Sequence, residues 1–136
     1  MKSLPLILAL ALSTTAQAGV DIQRWTTNNS TEVLLVEQHD NPIVDMQVNF
    51  KGAGSVFNPE GKSEVAEFTA ALLTDGTEKL DEEAFNAAAD DIAAQIDSSS
   101  GQESSAAVLR SLSHPETLKQ AAGLFNQSQR DRKSVV

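Results

Sequence analysis

Few side chains in this sequence could carry out acid–base or metal chemistry. The chain holds two histidines, no cysteine and nineteen acidic residues in 136 positions. His39 stands in Glu37-Gln38-His39-Asp40, and His114 precedes Pro115. They lie far apart in sequence, and neither has a second ligand at metal spacing. Each therefore reads as a surface or capping residue. Zinc sites built on thiolates are excluded by the lack of cysteine. Serine is abundant, yet no Gly-x-Ser-x-Gly elbow is present to expose a nucleophile. Gly52-Ala53-Gly54-Ser55 is glycine-rich but lacks the Lys-Ser/Thr that follows in a phosphate loop, so it reads as a turn. The acids Asp81, Glu82 and Glu83 suit the first turn of a helix, where they favour its dipole. Asp90 and Asp91 read as a solvated face. Asn28 and Asn29 are formal glycosylation acceptors, relevant only in a eukaryotic secretory route.

The elements that would position these residues follow from periodicity and turn chemistry. Residues 22–26 and 33–37 read as two strands around the turn Asn28-Asn29-Ser30. Asn41-Pro42 breaks the chain. Val44, Met46, Val48 and Phe50 then alternate with polar residues, as in a half-buried strand. Ser63 can cap a first helix running to about Leu73, with Val65, Phe68 and Leu72 as its stripe beside Ala66 and Leu73. Gly76 closes it. Asp81 can cap a second helix with the stripe Phe85, Ala88, Ala89, Ile92 and Ile96. Ser98-Ser99-Ser100-Gly101 reads as a polar turn. Ala106, Val108 and Leu112 alternate with Ser105, Ala107, Leu109 and Ser111, which suggests another strand. Ser113 and Glu116 have capping-box spacing and open a third helix carrying Leu118, Ala121, Ala122 and Phe125. Strands and helices alternate without a strict βα repeat. The fold class is α+β, with a mixed or antiparallel sheet and helices on one face.

The N-terminus reads as an export signal. Lys2 is followed by an apolar run from Leu4 to Leu12, and Ala16-Gln17-Ala18 is a small-x-small cleavage site. The run is too short to span a bilayer as a mature helix. Residues 1–18 are thus a signal peptide, and the protein is expected in the periplasm or secreted. Less those 18 residues the chain of 136 has 118, and losing Lys2 takes its net charge from −9 to −10. That acidity argues against nucleic acid and anionic lipid as partners, which need clustered positive charge. Aromatic residues are few and many core positions are alanine, so a core this light is marginal alone. Residues 19–126 read as the folded domain. Residues 127–136 have no apolar period and carry four successive charges from Arg130 to Lys133, so they read as a polar, disordered tail at a truncation.

One stretch gathers these pieces. The run Glu60-Gly61-Lys62-Ser63-Glu64-Val65-Ala66, then Glu67-Phe68-Thr69-Ala70-Ala71, then Leu72-Leu73-Thr74-Asp75-Gly76-Thr77 resembles the zinc-binding helix of the insulinase/pitrilysin, M16-type, metallopeptidases. The resemblance covers residues 33–125 in order and spacing. It includes Val33-Leu34-Leu35-Val36-Glu37, Pro42-Ile43-Val44 and Gly52-Ala53-Gly54-Ser55. It implies the N-terminal domain of such an enzyme, with His-x-x-Glu-His at the five central positions. Two histidines at i and i+4 would share one helix face and hold Zn²⁺, the glutamate would act as base on the metal-bound water, and a downstream glutamate would complete the site.

In this chain those positions are Glu67, Ala70 and Ala71. Neither alanine has a lone pair to offer or a proton to move, and the third ligand would fall beyond Val136. The resemblance therefore implies no catalytic residue, no metal ligand and no cofactor, although intact members carry zinc. It implies an exported, non-catalytic subunit or fragment with a scaffolding or peptide-chamber role beside an active zinc-bearing subunit. The alternatives are a zinc-dependent endopeptidase whose sequence is incomplete, and a truncated fragment with no independent activity.

Overall fold

The computed structural model describes residues 19–130. The expected signal segment, 1–18, and positions 131–136 of the expected tail lie outside the described residues. The chain divides into two compact units, Met1–His39 and Asp40–Val136.

The first unit is a hairpin of β1 (Ile22–Thr26) and β2 (Glu32–Val36), paired antiparallel from Ile22 opposite Val36 to Thr26 opposite Glu32. The second strand sits one residue earlier than the expected 33–37, because the pairing of Thr26 with Glu32 fixes the loop at five residues. Ser30 takes a positive φ of 64° and its amide donates to the Thr27 carbonyl at 3.0 Å, so serine rather than asparagine makes the tight bend. Arg24 and Glu32 meet at 3.0 Å on the exposed surface, where such a pair adds little stability.

Among its described residues the second unit has a three-stranded antiparallel sheet and three α-helices. Its strands are β3 (Ile43–Lys51), β4 (Gln95–Ser100) and β5 (Ser104–Leu112), in the order β3-β5-β4. The helices are α1 (Val65–Ala71), α2 (Glu82–Asp91) and α3 (Pro115–Arg130). The α+β reading holds, and every strand pairing among the described residues is antiparallel.

Register shows which face the helices cover. Val48, Ala107 and Ser98 lie abreast across the three strands, as do Met46, Leu109 and Ile96. Ala107 and Leu109 are buried with Ala121 and Phe125 of α3. Ser98 donates to a carbonyl of α1. Both helices therefore lie on one face of the sheet. Phe85 and Ala89 of α2 pack on Leu124 of α3 and extend that core. The opposite face carries Asp45, Gln47, Asn49 and Arg110, with Ile43, Val108 and Leu112 among them.

Several sequence expectations are corrected here. The inward set of β5 is Ala107, Leu109 and Ser111 rather than Ala106, Val108 and Leu112; small and apolar residues occupy both faces, so alternation alone could not choose. The serines at 98–100 form β4 instead of a turn, because their pairing with β5 outweighs their turn preference. Ile96 accordingly belongs to β4, and α2 ends at Asp91. Proline occupies the first position of α3, where its missing amide costs nothing. That helix continues four residues past Asn126 to Arg130, with Ser128 fully buried. Residues 127–130 are thus helical, not tail: Leu124 and Phe125 anchor the preceding turn, and the Ser128 hydroxyl bonds back to the Phe125 carbonyl at 2.8 Å.

Candidate functional site

The motif helix α1 is held mainly by small residues and polar hooks. Gly54 brings its loop so close to the β4–β5 turn that a Cβ there would collide with the Gln102 carbonyl. The Ser55 and Val56 amides donate to the Gly101 and Gln102 carbonyls at 2.9 and 3.0 Å. The glycine-rich stretch thus docks the approach to α1, a stronger role than the simple turn expected. Asn58 then bridges both sides of the helix start. Its Nδ2 donates to the Ser63 carbonyl at 2.6 Å, and its Oδ1 accepts from the Ala66 amide at 3.0 Å.

This arrangement replaces the expected Ser63 cap. Glu64 occupies the N-cap position without a side-chain bond, and Asn58 satisfies a first-turn amide from eight residues away. At the other end the Ser98 hydroxyl donates to the Ala70 carbonyl at 2.5 Å and ties α1 to β4. Gly76, at φ +118°, ends the segment as expected; a Cβ there would meet the Leu80 oxygen at 2.6 Å. The cap at Asp81 is present: its Oδ1 accepts from the Ala84 amide at 2.9 Å.

The expected stripe of α1 is turned outward. Its buried residues are Ala66 and Ala70, whereas Phe68 is 63% exposed and Val65 is also exposed. Leu72 and Leu73 are half-buried. Alanines let the helix approach the sheet closely, and Phe68 then falls on the far side. Beside the helix lies a crevice of about 370 Å³, lined by Phe50, Phe57, Val65, Ala70 and Leu73, with Ser105 and Gln129 among its polar members.

Within this frame the three motif positions separate. Glu67 and Ala71, one turn apart, are exposed. Ala70 is 4% exposed and faces the sheet and the crevice. Glu67 contributes an acid to the first turn of α1, where its charge favours the helix dipole. It is the only one of the three with side-chain oxygens; Ala70, where the sequence resemblance would place a general base, carries a methyl group. Among the described residues no group of three or more His, Cys, Asp or Glu side chains could hold a metal ion. His39 is exposed with its Nε2 3.7 Å from Glu37, and His114 is exposed just before α3.

The opposite sheet face carries one organised charge pair. Arg110 donates through Nε to Asp45 Oδ1 at 2.6 Å and through a terminal nitrogen to Oδ2 at 2.9 Å. These hydrogen bonds, with the opposite charge, hold the Asp45 carboxyl below its ordinary range and raise Arg110. Sequence alone did not identify this pair, because it depends on the β3–β5 register. Ser98 escaped because its partner Ala70 is distant in sequence, and Asn58 because it lies outside the usual cap spacing, eight residues from the amide it accepts from.

No family model and no curated protein matches this chain. Solved structures do. The chain is similar to the peptidase M16 inactive domain from Pseudomonas fluorescens, with 26% identity and a TM-score of 0.78, over 84% of this chain and 27% of that one. It is also similar to a protease from Helicobacter pylori, with 17% identity and a TM-score of 0.70, over 85% of this chain and 27% of that one. The second likeness is one of fold. The chain thus spans about a quarter of the length of these two structures.

Proposed function

From an M16-type fold similar to an inactive peptidase domain, we propose that this chain is an exported, non-catalytic M16-like subunit or fragment that acts as a scaffold. Its partner in this reading is a zinc-bearing subunit of the same type, and its ligand an extended peptide in their shared chamber. The observation that carries the reading is α1 itself. The helix keeps its place against the sheet, while Glu67, Ala70 and Ala71 offer one carboxylate and two methyl groups. The β3 edge adds a means of association: among the described residues no strand pairs with it, and such an edge offers backbone donors and acceptors to an added strand.

Co-expression with an M16-type subunit that has an intact His-x-x-Glu-His motif tests this proposal. The two chains should co-purify, and hydrolysis of an unstructured peptide by the pair should exceed that of the zinc subunit alone. Absence of association at micromolar concentration would contradict it. Export is tested by cell fractionation, with the chain expected outside the cytoplasm.

A second reading, a fragment with no activity of its own, is favoured by the exposed apolar side chains of Val56, Phe57 and Phe68. Broad, poorly dispersed amide NMR signals would support it. Cooperative unfolding of a soluble monomer would refute it.

A further inference from the structure

The sheet of the second unit has two edges, and they differ. The β4 edge is six residues long and serine-rich, and its strand is tied to α1 through Ser98. The β3 edge is nine residues long and pairs with β5 without interruption from Ile43 to Lys51. It has no proline, no bulge and no charge on the helix-covered face, the devices that usually blunt an exposed edge. Its residues sort by face: Val44, Met46, Val48 and Phe50 on the covered face, and Ile43, Asp45, Gln47, Asn49 and Lys51 on the other. The charge of Asp45 is already matched within the sheet by Arg110.

We propose that the β3 edge pairs antiparallel with β3 of a second copy, about a two-fold axis through Gln47. In that register Val44 faces Phe50 and Met46 faces Val48, so every residue of the covered face meets an apolar partner. Asp45 faces Asn49, Gln47 faces its own copy and Lys51 faces Ile43, so no like charges are opposed. The side-chain period of two keeps the same face up in both copies. The product is a continuous six-stranded sheet, β4-β5-β3 joined to β3-β5-β4, with the helices of both copies on one side. This self-complementarity selects a second copy over an arbitrary strand, since apolar cross-strand pairs stabilise and opposed like charges destabilise. Self-pairing rests on the scaffold reading only in taking the β3 edge as open to an added strand.

The absence of cysteine makes the test clean. Gln47 is exposed, so Gln47→Cys places a single thiol on the proposed axis. The full-length variant should form a reducible disulfide dimer under mild oxidation, faster than Gln95→Cys on the other edge. The unsubstituted chain should sediment as a dimer at micromolar concentration. Gln47→Lys sets two like charges on the axis and should weaken the dimer at least about tenfold, with an unchanged far-UV circular dichroism spectrum. A monomeric unsubstituted chain, or cross-linking of Q47C no faster than that of Q95C, would overturn the proposal. A chain that stays monomeric alone yet binds a zinc-bearing M16-type subunit would refute self-pairing and leave the scaffold reading intact. A disulfide-linked Q47C dimer, with a dimeric unsubstituted chain that binds no such subunit, would do the reverse.

Discussion

Helices α1 and α3 cover the same face of one sheet, and they do so by different means. Helix α3 inserts large side chains: Phe125 is 5% exposed, and Leu124 joins α3 to α2. Helix α1 presents only Ala66 and Ala70 to the sheet, leaves Phe68 outside and relies on hydrogen bonds from Asn58 and Ser98 for its position. Burial of aromatic surface is worth several times a single net hydrogen bond. The stability of the second unit therefore resides around α3, and the position of the motif helix is specified by polar geometry. A helix held in this way tolerates changes on its outer side, because Glu67 and Ala71 are exposed and take no part in the packing.

The sharpest way to break this contrast is to truncate the corresponding aromatic residues. Phe125→Ala should destabilise the chain by about 3–5 kcal/mol in urea unfolding, whereas Phe68→Ala should stay within about 0.5 kcal/mol of the parent. Equal losses would mean that α1 is packed as firmly as α3.

Next in size is Ala70→Glu, which puts an acid where the sequence resemblance would place a general base. Ala70 faces the sheet and an apolar crevice, so a carboxylate there is desolvated and the substitution should cost about 1–3 kcal/mol. Burial raises the folded-state pKa of such a carboxyl above its unfolded value. The loss should therefore be small in acid and grow as pH rises through the ordinary carboxylate range. A pH-independent melting temperature difference would show that the side chain escapes to water. Asn58→Ala should cost about 1 kcal/mol and fray the start of α1, seen as faster amide exchange at Ala66.

The smallest effect is expected on the opposite sheet face. Asp45 has a lowered pKa in the folded chain, so its contribution is present above the unfolded carboxylate pKa and lost as pH falls through the lowered folded value. Asp45→Asn should lower the melting temperature slightly at neutral pH, less in high salt, and not at all once the pH is below the folded pKa. A large salt-independent loss would make this exposed pair more important than the α1 contacts.

These differences also explain what could be read from the residues alone. The strand β3, the Asp81 cap and the Phe85–Ala89 stripe were legible because each signal is local and strong. The inward face of β5 was not, since alanine and serine give little contrast between its two sides. The outward turn of Phe68 was hidden for a related reason: helix periodicity finds the largest apolar residues, while close packing on this sheet selects the smallest. The Ser98 bond depends on tertiary placement, and the Asn58 bonds span five and eight residues of loop, outside any recognised cap spacing. The likeness of residues 60–77 to a metal-binding helix rests on the order of residues alone, while the fold as a whole is similar to that of a peptidase M16 inactive domain.

Calorimetric titration of the purified full chain with Zn²⁺ tests most directly the proposal that this chain is M16-like and non-catalytic. With Glu67, Ala70 and Ala71 at the three positions, no stoichiometric binding should occur at micromolar concentration. Tight one-to-one binding would contradict the account.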